Sequence, residues 1–321
     1  MENKLEIHPA NDNDLWDKFI FNSENKNLYS LSQFIDVYEN DKKKFFIKKK
    51  EEILGSFHLF IKNSQINSGN TIYSALNFKK FDDSTNASLT YKKFLIIEKY
   101  SNFLIENYKK GEITLDHYTN DLRPFYWHNF KTNKEIFKIK ETRFTSILDI
   151  KDLSTDNKDF EKTFFYSQLS RSTKQQIKLA NQKNYDFKSE LNLNLAKAMI
   201  EETFKRQKKN IDWDVDKTFK IYNHLYENKL LKMFICSKDK INLSFTIFGV
   251  INNKAIYLNG ARSEQSNQDY SLTYNMISSL FSLKQTGVEI VDLEGVNSPK
   301  RGFWKLGFGG SLSPYYNISF N

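Results

Sequence analysis

The sequence predicts an α+β fold, because helical and strand patterns are mixed in both halves of the chain. Ile241–Ile247 alternates apolar and polar residues with period two, as a half-buried strand does. Apolar residues at helical spacing predict a helix from about Tyr270 to Gln285. The length of 321 residues fits two domains of ordinary size or one large domain.

The first half is predicted to begin with two short helices between Leu15 and Asn40. A hairpin, a long helix and three further strands follow: Phe45–Lys50 with Ile53–Lys62, then Thr90–Tyr108, Ile113–Asp116, Glu135–Lys140 and Phe144–Ile150. The stretch Ile150–Asp159 is polar and has no periodic pattern. It places the domain boundary at residue 152, so that the predicted domains are residues 1–152 and 153–321.

The second half is predicted to contain four helices, at Lys158–Gln168, Ser172–Lys183, Leu195–Arg206 and Val215–Glu227, with a short strand at Asp186–Glu190. Three strands then run in sequence, at Leu231–Cys236, Ile241–Ile247 and Ala255–Leu258. A polar loop after Gly260, the helix from Tyr270 and a strand at Val288–Leu293 complete this half.

Net charge and cysteine content indicate which partners and which cellular compartment to expect. The net charge of +9 is compatible with an anionic partner such as a nucleotide, a phosphorylated sugar, tRNA or a membrane surface. A lysine-rich surface without such a partner is the alternative. The lone Cys236 excludes an intramolecular disulfide, fits a reducing compartment and is expected to be a core residue. Without an N-terminal or long apolar run, a cytoplasmic protein is expected, with peripheral membrane contact left open.

The stretch Glu289–Tyr316 concentrates the features of a functional site. It holds five of the eleven glycines, and it carries Asp292 and Glu294 at a predicted strand end. A turn at Pro299 and the aromatic and basic run Phe303–Lys305 follow. Glycines allow a backbone to approach a ligand closely. This stretch is therefore a candidate site, and a tight turn before a last strand is the alternative.

The pattern D-x-E-G-x-x-S-P, then G-F-W-K-x-x-F-G-G and P-Y-Y, resembles the C-terminal end of the Fem-type peptidyltransferases and their GNAT-fold relatives. Other stretches agree in order: Asp14–Trp16 with Asn27–Ser30, Asp121–Phe125 with Arg143–Thr145, and Leu169–Ser172 with Gln176–Ala180. The resemblance implies two tandem GNAT-like domains. Each would be a mixed, mostly antiparallel sheet flanked by helices, with a cleft between or within the domains.

The resemblance also implies an acyl- or aminoacyl-transferase acting on an amine of a cell-envelope precursor. The acceptor would be a nucleotide-linked amino sugar or a peptidoglycan peptide, in polysaccharide or peptidoglycan biosynthesis. Direct attack in a ternary complex needs a donor to the carbonyl oxygen, a proton acceptor and close positioning. It needs no bound cofactor or metal, only acyl-CoA or aminoacyl-tRNA as co-substrate. The sequence shows no G-x-S-x-G motif, no P-loop and no His/Cys ligand spacing.

Four residues are candidates for catalysis. Asp292 and Glu294 alternate along a strand end, so both are expected on one side of the sheet, where one could take the amine proton. Hydrogen bonds within a turn are the alternative. The resemblance implies that Lys305 faces the donor or the tetrahedral oxyanion. A solvated lysine is the alternative. Asp116 is a second candidate base.

The acyl donor is expected at Gly260, Arg262 and Ser271, because backbone N–H groups at a helix start bind phosphates. GNAT enzymes hold coenzyme A there through a Q/R-x-x-G-x-G/A pattern. This chain lacks both glycines after Arg262, and Glu264 and Asp269 oppose an anion. Three interpretations of this loop therefore remain: it binds coenzyme A, the donor is an aminoacyl-tRNA, or the loop simply caps a helix.

The acceptor is expected at six residues, Asp121, Arg123, Trp127, His128, Arg171 and Trp304. An arginine fork can hold phosphate or carboxylate, and a tryptophan can stack on a base or a sugar. The alternatives are a structural role for His128 and a solvated helix face at Arg171. Two other functions compete with catalysis: a degenerate GNAT-fold module that binds an anionic glycan or nucleotide, and RNA binding driven by the net charge.

Overall fold

The chain divides into two structural units in the computed structural model. Unit 1 comprises Met1–Arg143 with Pro314–Asn321, and unit 2 comprises Phe144–Ser313. The described residues are 5–37, 41–67, 72–73, 76–82, 85–154, 157–211, 213–266 and 270–321. The division into domains 1–152 and 153–321 stays a prediction. Residues 155 and 156 of its boundary stretch, and Asp269 of the predicted donor loop, lie outside the described residues.

The strands and helices have the following bounds. The strands are β1 Glu6–Pro9, β2 Asp41–Lys49, β3 Glu52–Lys62, β4 Gln65–Asn67, β5 Leu76–Phe78, β6 Gly111–Leu115, β7 Phe137–Asp149, β8 Asp186–Ser189, β9 Leu231–Lys238, β10 Ile241–Ile251, β11 Lys254–Arg262, β12 Ile290–Gly295 and β13 Ser311–Phe320. The helices are α1 Asn13–Asn22, α2 Ser32–Ile35, α3 Asn86–Asn107, α4 Arg123–Thr132, α5 Asn157–Phe160, α6 Phe164–Gln168, α7 Arg171–Ala180, α8 Leu193–Arg206, α9 Val215–Glu227, α10 Ser271–Gln285 and α11 Pro299–Leu306.

Unit 1 is built on a mixed sheet with the strand order β1-β2-β3-β4-β6-β13-β7, and β5 pairs with β3. The β4–β6 pair is parallel, whereas β2–β3 and β13–β6 are antiparallel. Helix α3 buries Ile97, Tyr100 and Leu104 against this sheet, as its apolar spacing predicts. Tyr100 packs 4.8 Å from the ring of Phe57 and 56° from coplanar with it.

Unit 2 has the strand order β7-β12-β11-β10-β9-β8. Strands β11 and β12 are parallel, whereas the pairs β7–β12, β10–β11, β9–β10 and β8–β9 are antiparallel. Helix α10 packs on the sheet through Met276, Leu280 and Leu283, which belong to the same buried cluster as Phe248 and Val291. Cys236 is buried in β9, as expected.

Several predicted elements are corrected by the structure. Glu135–Lys140 and Phe144–Ile150 form one strand, β7, because an extended strand can carry the exposed polar residues between them. The predicted turn at Pro299 is the start of helix α11, where a proline at the first helical position loses no hydrogen bond. The predicted helix Lys158–Gln168 is two short helices, α5 and α6.

The strand predicted to end at Leu258 continues to Arg262 as β11, so Gly260 lies within a strand and not at the start of a loop. A Cβ atom at Gly260 would lie 2.1 Å from the hydroxyl oxygen of Tyr257. A larger residue at position 260 would therefore displace the side chain of Tyr257, which crosses the backbone of the same strand.

Candidate active site

Lys305 lies in the last turn of α11, where its side chain reaches the end of two strands. Its Nζ atom donates to the backbone oxygen atoms of Leu293, at 2.6 Å, and Gly295, at 3.1 Å. It also lies 4.9 Å from the ring centroid of Tyr257 in β11. Burial lowers the pKa of Lys305 to about 8, and the negative charges of Glu294 and Asp292 oppose part of that decrease. The ammonium group is thus poorly hydrated and tied to β12.

The ammonium group of Lys305 marks the point where two parallel strands stop pairing. The registered pairs of β11 and β12 run from Lys254–Ile290 to Ile256–Asp292. Tyr257 and Leu293, the next residue of each strand, are both contacts of Lys305. Beyond them, β11 stays paired with β10 up to Arg262, and β12 pairs with β7 at Gly295.

Strand β11 carries a bulge at this same point. Phe248 of β10 pairs with Tyr257, whereas Ile247 pairs with Asn259, so Leu258 is the extra residue. A bulge redirects the side chains beside it. Tyr257 is buried, and this burial raises the pKa of its hydroxyl. Its phenol is therefore neutral at ordinary pH, with a ring face available to the ammonium of Lys305.

The two predicted carboxylates lie at a second bulge, in β12. Asp292 pairs with Ile147 and Gly295 with Thr145, so two residues of β12 face one residue of β7. Glu294 has a φ of +56°. The regular alternation assumed for Asp292 and Glu294 is therefore interrupted by this left-handed residue.

Asp292 is fully buried and holds this bulge together. Its Oδ1 atom lies 2.5 Å from the hydroxyl of Thr145 and accepts from the backbone N–H of Glu294 at 2.8 Å. Glu294 is only partly buried, and its charge acts on both Lys305 and Tyr257. Asp292 thus positions the strand end, and Glu294 is the more accessible carboxylate beside the lysine.

Trp304 connects the site to two other helices. Its indole Nε1 donates to Thr273 of α10 at 3.2 Å, and the hydroxyl of Thr273 donates to Gln176 of α7 at 2.8 Å. Its ring lies 6.5 Å from that of Tyr257 and 5.1 Å from that of Phe308. Trp304, Lys305, Asp292 and Glu294 are therefore brought together in unit 2.

The glycines near the C-terminus serve close packing of the chain. A Cβ atom at Gly302 would lie 2.1 Å from the backbone oxygen of Val296, and one at Gly309 would lie 2.4 Å from that of Gln168. Gly309 also has a φ of +79°. These glycines let α11 pack against neighbouring backbone and so fix the position of Lys305.

The predicted donor residues occupy β11 and the start of α10. Arg262 is the last residue of β11, and Ser271 is a fully buried first residue of α10. Arg206, at the end of α8, was not predicted from the sequence; its guanidinium donates to the backbone oxygen atoms of Arg262, at 3.1 Å, and Ser263, at 3.4 Å. Arg206 thereby fixes the backbone where β11 ends.

In unit 1, Asp116 is a buried residue that anchors the turn after β6. Its Oδ2 accepts from Asn25 at 2.7 Å, and its Oδ1 accepts from the backbone N–H of Tyr118 at 3.1 Å and from Thr119 at 3.3 Å. These donors give Asp116 a structural role in unit 1.

The four predicted acceptor residues of unit 1 lie in or beside α4, and each already has a protein partner. Arg123 donates to Asp121 through Nε at 2.8 Å and Nη2 at 2.6 Å, and these bonds lower the pKa of Asp121. Trp127 packs against Phe94 with a ring separation of 4.8 Å. His128 contacts the hydroxyl of Ser101 at 3.1 Å, and burial lowers its pKa.

Arg171, the remaining predicted acceptor residue, is the exposed first residue of α7. A groove of about 840 Å³ lies beside α7 and α10 and includes Lys174, Lys178, Tyr166, Tyr274 and Phe281 in its lining. The predicted site residues are not among the residues that line it.

Tyr257 and Thr145 are the contacts of this site that the sequence did not predict. Tyr257 lies in an ordinary strand pattern, and Thr145 precedes its partner Asp292 by 147 residues. Within the described ranges, no three His, Cys, Asp or Glu residues cluster so as to hold a metal ion. No described helix is both long and apolar enough to cross a bilayer.

No protein-family model and no curated protein matches the sequence. Solved structures do match the fold. FemX superposes with a TM-score of 0.69 at 14% identity, covering 97% of this chain and 96% of FemX. A conserved protein of unknown function from Bacteroides thetaiotaomicron gives 0.62 at 11% identity, covering 99% of this chain and 100% of that protein.

A tandem GNAT protein from the clavulanic acid biosynthesis pathway gives a TM-score of 0.52 at 7% identity, covering 99% of this chain and 98% of that protein. At such low identities the likeness establishes the fold. The chain has a Fem-like GNAT fold, and the resemblance seen in the sequence is confirmed at that level.

Proposed function

We propose that this protein is an acyl- or aminoacyl-transferase with two tandem GNAT-like domains. It would transfer the group to an amine of a cell-envelope precursor, either a nucleotide-linked amino sugar or a peptidoglycan peptide. The observation that carries the proposal is the desolvated ammonium of Lys305, held where β11 and β12 stop pairing. The Fem-like GNAT fold supports it.

In this proposal the acceptor amine attacks the carbonyl carbon of the donor. A C–N bond forms, and the C–S bond of acyl-CoA or the C–O bond of aminoacyl-tRNA breaks. Lys305 donates a hydrogen bond to the carbonyl oxygen as negative charge develops there. Its pKa of about 8 leaves it mostly protonated at neutral pH, as this role requires.

The amine loses one proton, which passes directly or through water to Glu294, and the leaving thiol or hydroxyl takes up a proton in turn. Asp292 has a positioning role, because it is buried and bonded to the backbone of Glu294. Asp116 is the weaker candidate base, since three donors of unit 1 already hold it.

The donor would lie along β11 beyond Tyr257, towards Arg262 and Ser271, and the acceptor at Trp304 and Arg171. Asp121, Arg123, Trp127 and His128 stay proposed acceptor contacts. The Arg123 side chain of the Arg123–Asp121 pair is 54% exposed, and exchange of such a surface ion pair costs little free energy. Phe94 and Ser101, the partners of Trp127 and His128, are buried.

The test combines donor binding with turnover. Thermal shift with acetyl-CoA, free coenzyme A and aminoacyl-tRNA identifies the donor, and that donor is then assayed with both acceptor classes and with Lys305→Met. Transfer by the native protein that Lys305→Met abolishes supports the proposal. Transfer at an equal rate by Lys305→Met refutes the assigned role of the lysine.

A binding module is the second candidate, because Arg262 is followed by none of the glycines that hold coenzyme A in GNAT enzymes. Such a module would be stabilised by sugar nucleotides and by no acyl donor. Stabilisation by an acyl donor would exclude it.

A further inference from the structure

Four aromatic side chains of helices α3 and α4 in unit 1 are exposed to solvent. Phe130 is 86% exposed, Tyr91 63%, Tyr126 48% and Trp127 43%. On α4, Phe130 follows Tyr126 by four residues and Trp127 by three, so each of them is its neighbour on the helix surface. Single exposed apolar residues are ordinary, whereas a group of aromatic residues on one face marks an interaction surface.

The face is presented by a firmly held helix. Pro124 and Phe125 are the buried residues of α4. Asn129 donates to the backbone oxygen of Phe137 at 2.6 Å and accepts from its N–H at 2.8 Å. Trp127 packs against Phe94. The aromatic side chains therefore stay outside the core because the helix cannot turn them inward.

Basic residues flank the aromatic side chains. Arg123 precedes Trp127 by four residues, and Lys131 follows it by four, on the same face of α4. The side chains of Arg123 and Lys131 are 54% and 64% exposed; Arg123 is paired with Asp121, and the Nζ atom of Lys131 lies 3.9 Å from a carboxylate oxygen of Glu98. From Asp121 to Lys140 the sequence has five basic residues (123, 131, 134, 138 and 140) against two acidic ones (121 and 135).

We propose that this aromatic face of α4, formed by Tyr126, Trp127 and Phe130 with Tyr91 of α3, binds the surface of an anionic phospholipid bilayer. Tryptophan and tyrosine prefer the headgroup region, phenylalanine inserts below it, and flanking arginine and lysine meet the anionic lipids. The excess of basic residues favours lipid over a protein partner, because the cores of protein interfaces are depleted of lysine. Trp127 and Arg123 are also proposed acceptor contacts, whereas Phe130, Tyr126 and Tyr91 are not, and a vesicle-binding test needs no activity.

The test is co-sedimentation of the full chain with two kinds of vesicle, phosphatidylcholine alone and phosphatidylcholine mixed with phosphatidylglycerol. We expect binding to the mixed vesicles, weakened by salt, and little binding to phosphatidylcholine. Phe130→Ser should weaken binding about tenfold or more, because it removes one inserted aromatic side chain. The matched control is Phe164→Ser in α6, a 67% exposed phenylalanine of unit 2, which should bind as the native chain does.

Absence of binding to the mixed vesicles overturns the proposal. Equal binding to both kinds of vesicle overturns the anionic preference, and equal loss in Phe130→Ser and Phe164→Ser overturns the assignment to α4. Sedimentation velocity of the protein alone tests whether this face instead binds a second copy of the chain. A dimer that Phe130→Ser dissociates would assign the face to a second copy of this chain. Phe130 is so exposed that its replacement leaves the fold intact, which an unchanged unfolding midpoint verifies.

Discussion

Replacement of Lys305 by methionine separates the chemistry of the proposed site from its structure. Methionine keeps most of the side-chain volume and removes the charge and all three N–H donors. If the ammonium stabilises a developing oxyanion, kcat should fall by about 10²- to 10³-fold, the usual cost of removing one such donor. The KM of the acyl donor should change far less, because the lost interaction forms in the transition state.

The same replacement also changes how the stability of the protein depends on pH. The pKa of Lys305 is lowered from 10.5 to about 8 in the folded chain. Between these two values the unfolded chain binds a proton that the folded chain does not, so the stability of the native protein rises with pH across this window. The full rise is at most about 3 kcal/mol. Lys305→Met lacks it.

The assay is chemical unfolding of both proteins at several pH values from 7 to above 10, together with the alkaline limb of the pH–rate profile. The native rate should fall as pH rises through about 8, where Lys305 loses its proton. The matched control is Lys300→Met, on the same helix but exposed, which should alter neither measurement. A constant stability difference between native protein and Lys305→Met across this range would refute the reasoning.

Three further predictions concern the fold. His58 is fully buried, and burial lowers its pKa from 6.5 to about 3. Near pH 5 the unfolded chain therefore binds a proton that the folded chain does not, which should cost about 2 kcal/mol of stability. His58→Leu should lack this loss when its unfolding is compared at pH 5 and pH 8. Thr145→Val removes the hydroxyl beside buried Asp292 and should destabilise the protein by about 1–3 kcal/mol in urea unfolding, with Thr145→Ser near native. Gly309→Ala combines positive φ with a clash and should cost more than Gly287→Ala, which has positive φ in open space; equal melting temperatures would contradict this.

Amphipathic elements were predictable from the sequence alone. Helix α9 matches its predicted bounds, Val215–Glu227, and α10 begins within one residue of the prediction, because each buries one apolar face. Two of the incorrect predictions involve a proline and a glycine. Pro299 begins a helix, a position that proline favours as much as it favours turns. Gly260 lies inside a strand beside the hydroxyl of Tyr257, a contact that local patterns do not contain.

The candidate site was predictable in its charged residues and not in their neighbours. Asp292, Glu294 and Lys305 stood out because they share one short stretch of sequence with a cluster of glycines. Tyr257 and Thr145 come from other strands, and only the pairing of the sheet brings them to Lys305 and Asp292. An aromatic residue in a strand is ordinarily a core residue, so nothing local distinguishes Tyr257.

The three carboxylates that the sequence suggests as bases differ in burial and in hydrogen bonding. Asp116 and Asp292 are buried, and each accepts hydrogen bonds from the backbone of a turn or bulge that would open without it. Glu294 is partly exposed and occupies the left-handed residue of the bulge that Asp292 stabilises. A proton acceptor must reach substrate, whereas a residue that secures a bulge must not move. In the proposed mechanism these two tasks fall to neighbouring residues, with Asp292 securing the bulge and Glu294 accepting the proton.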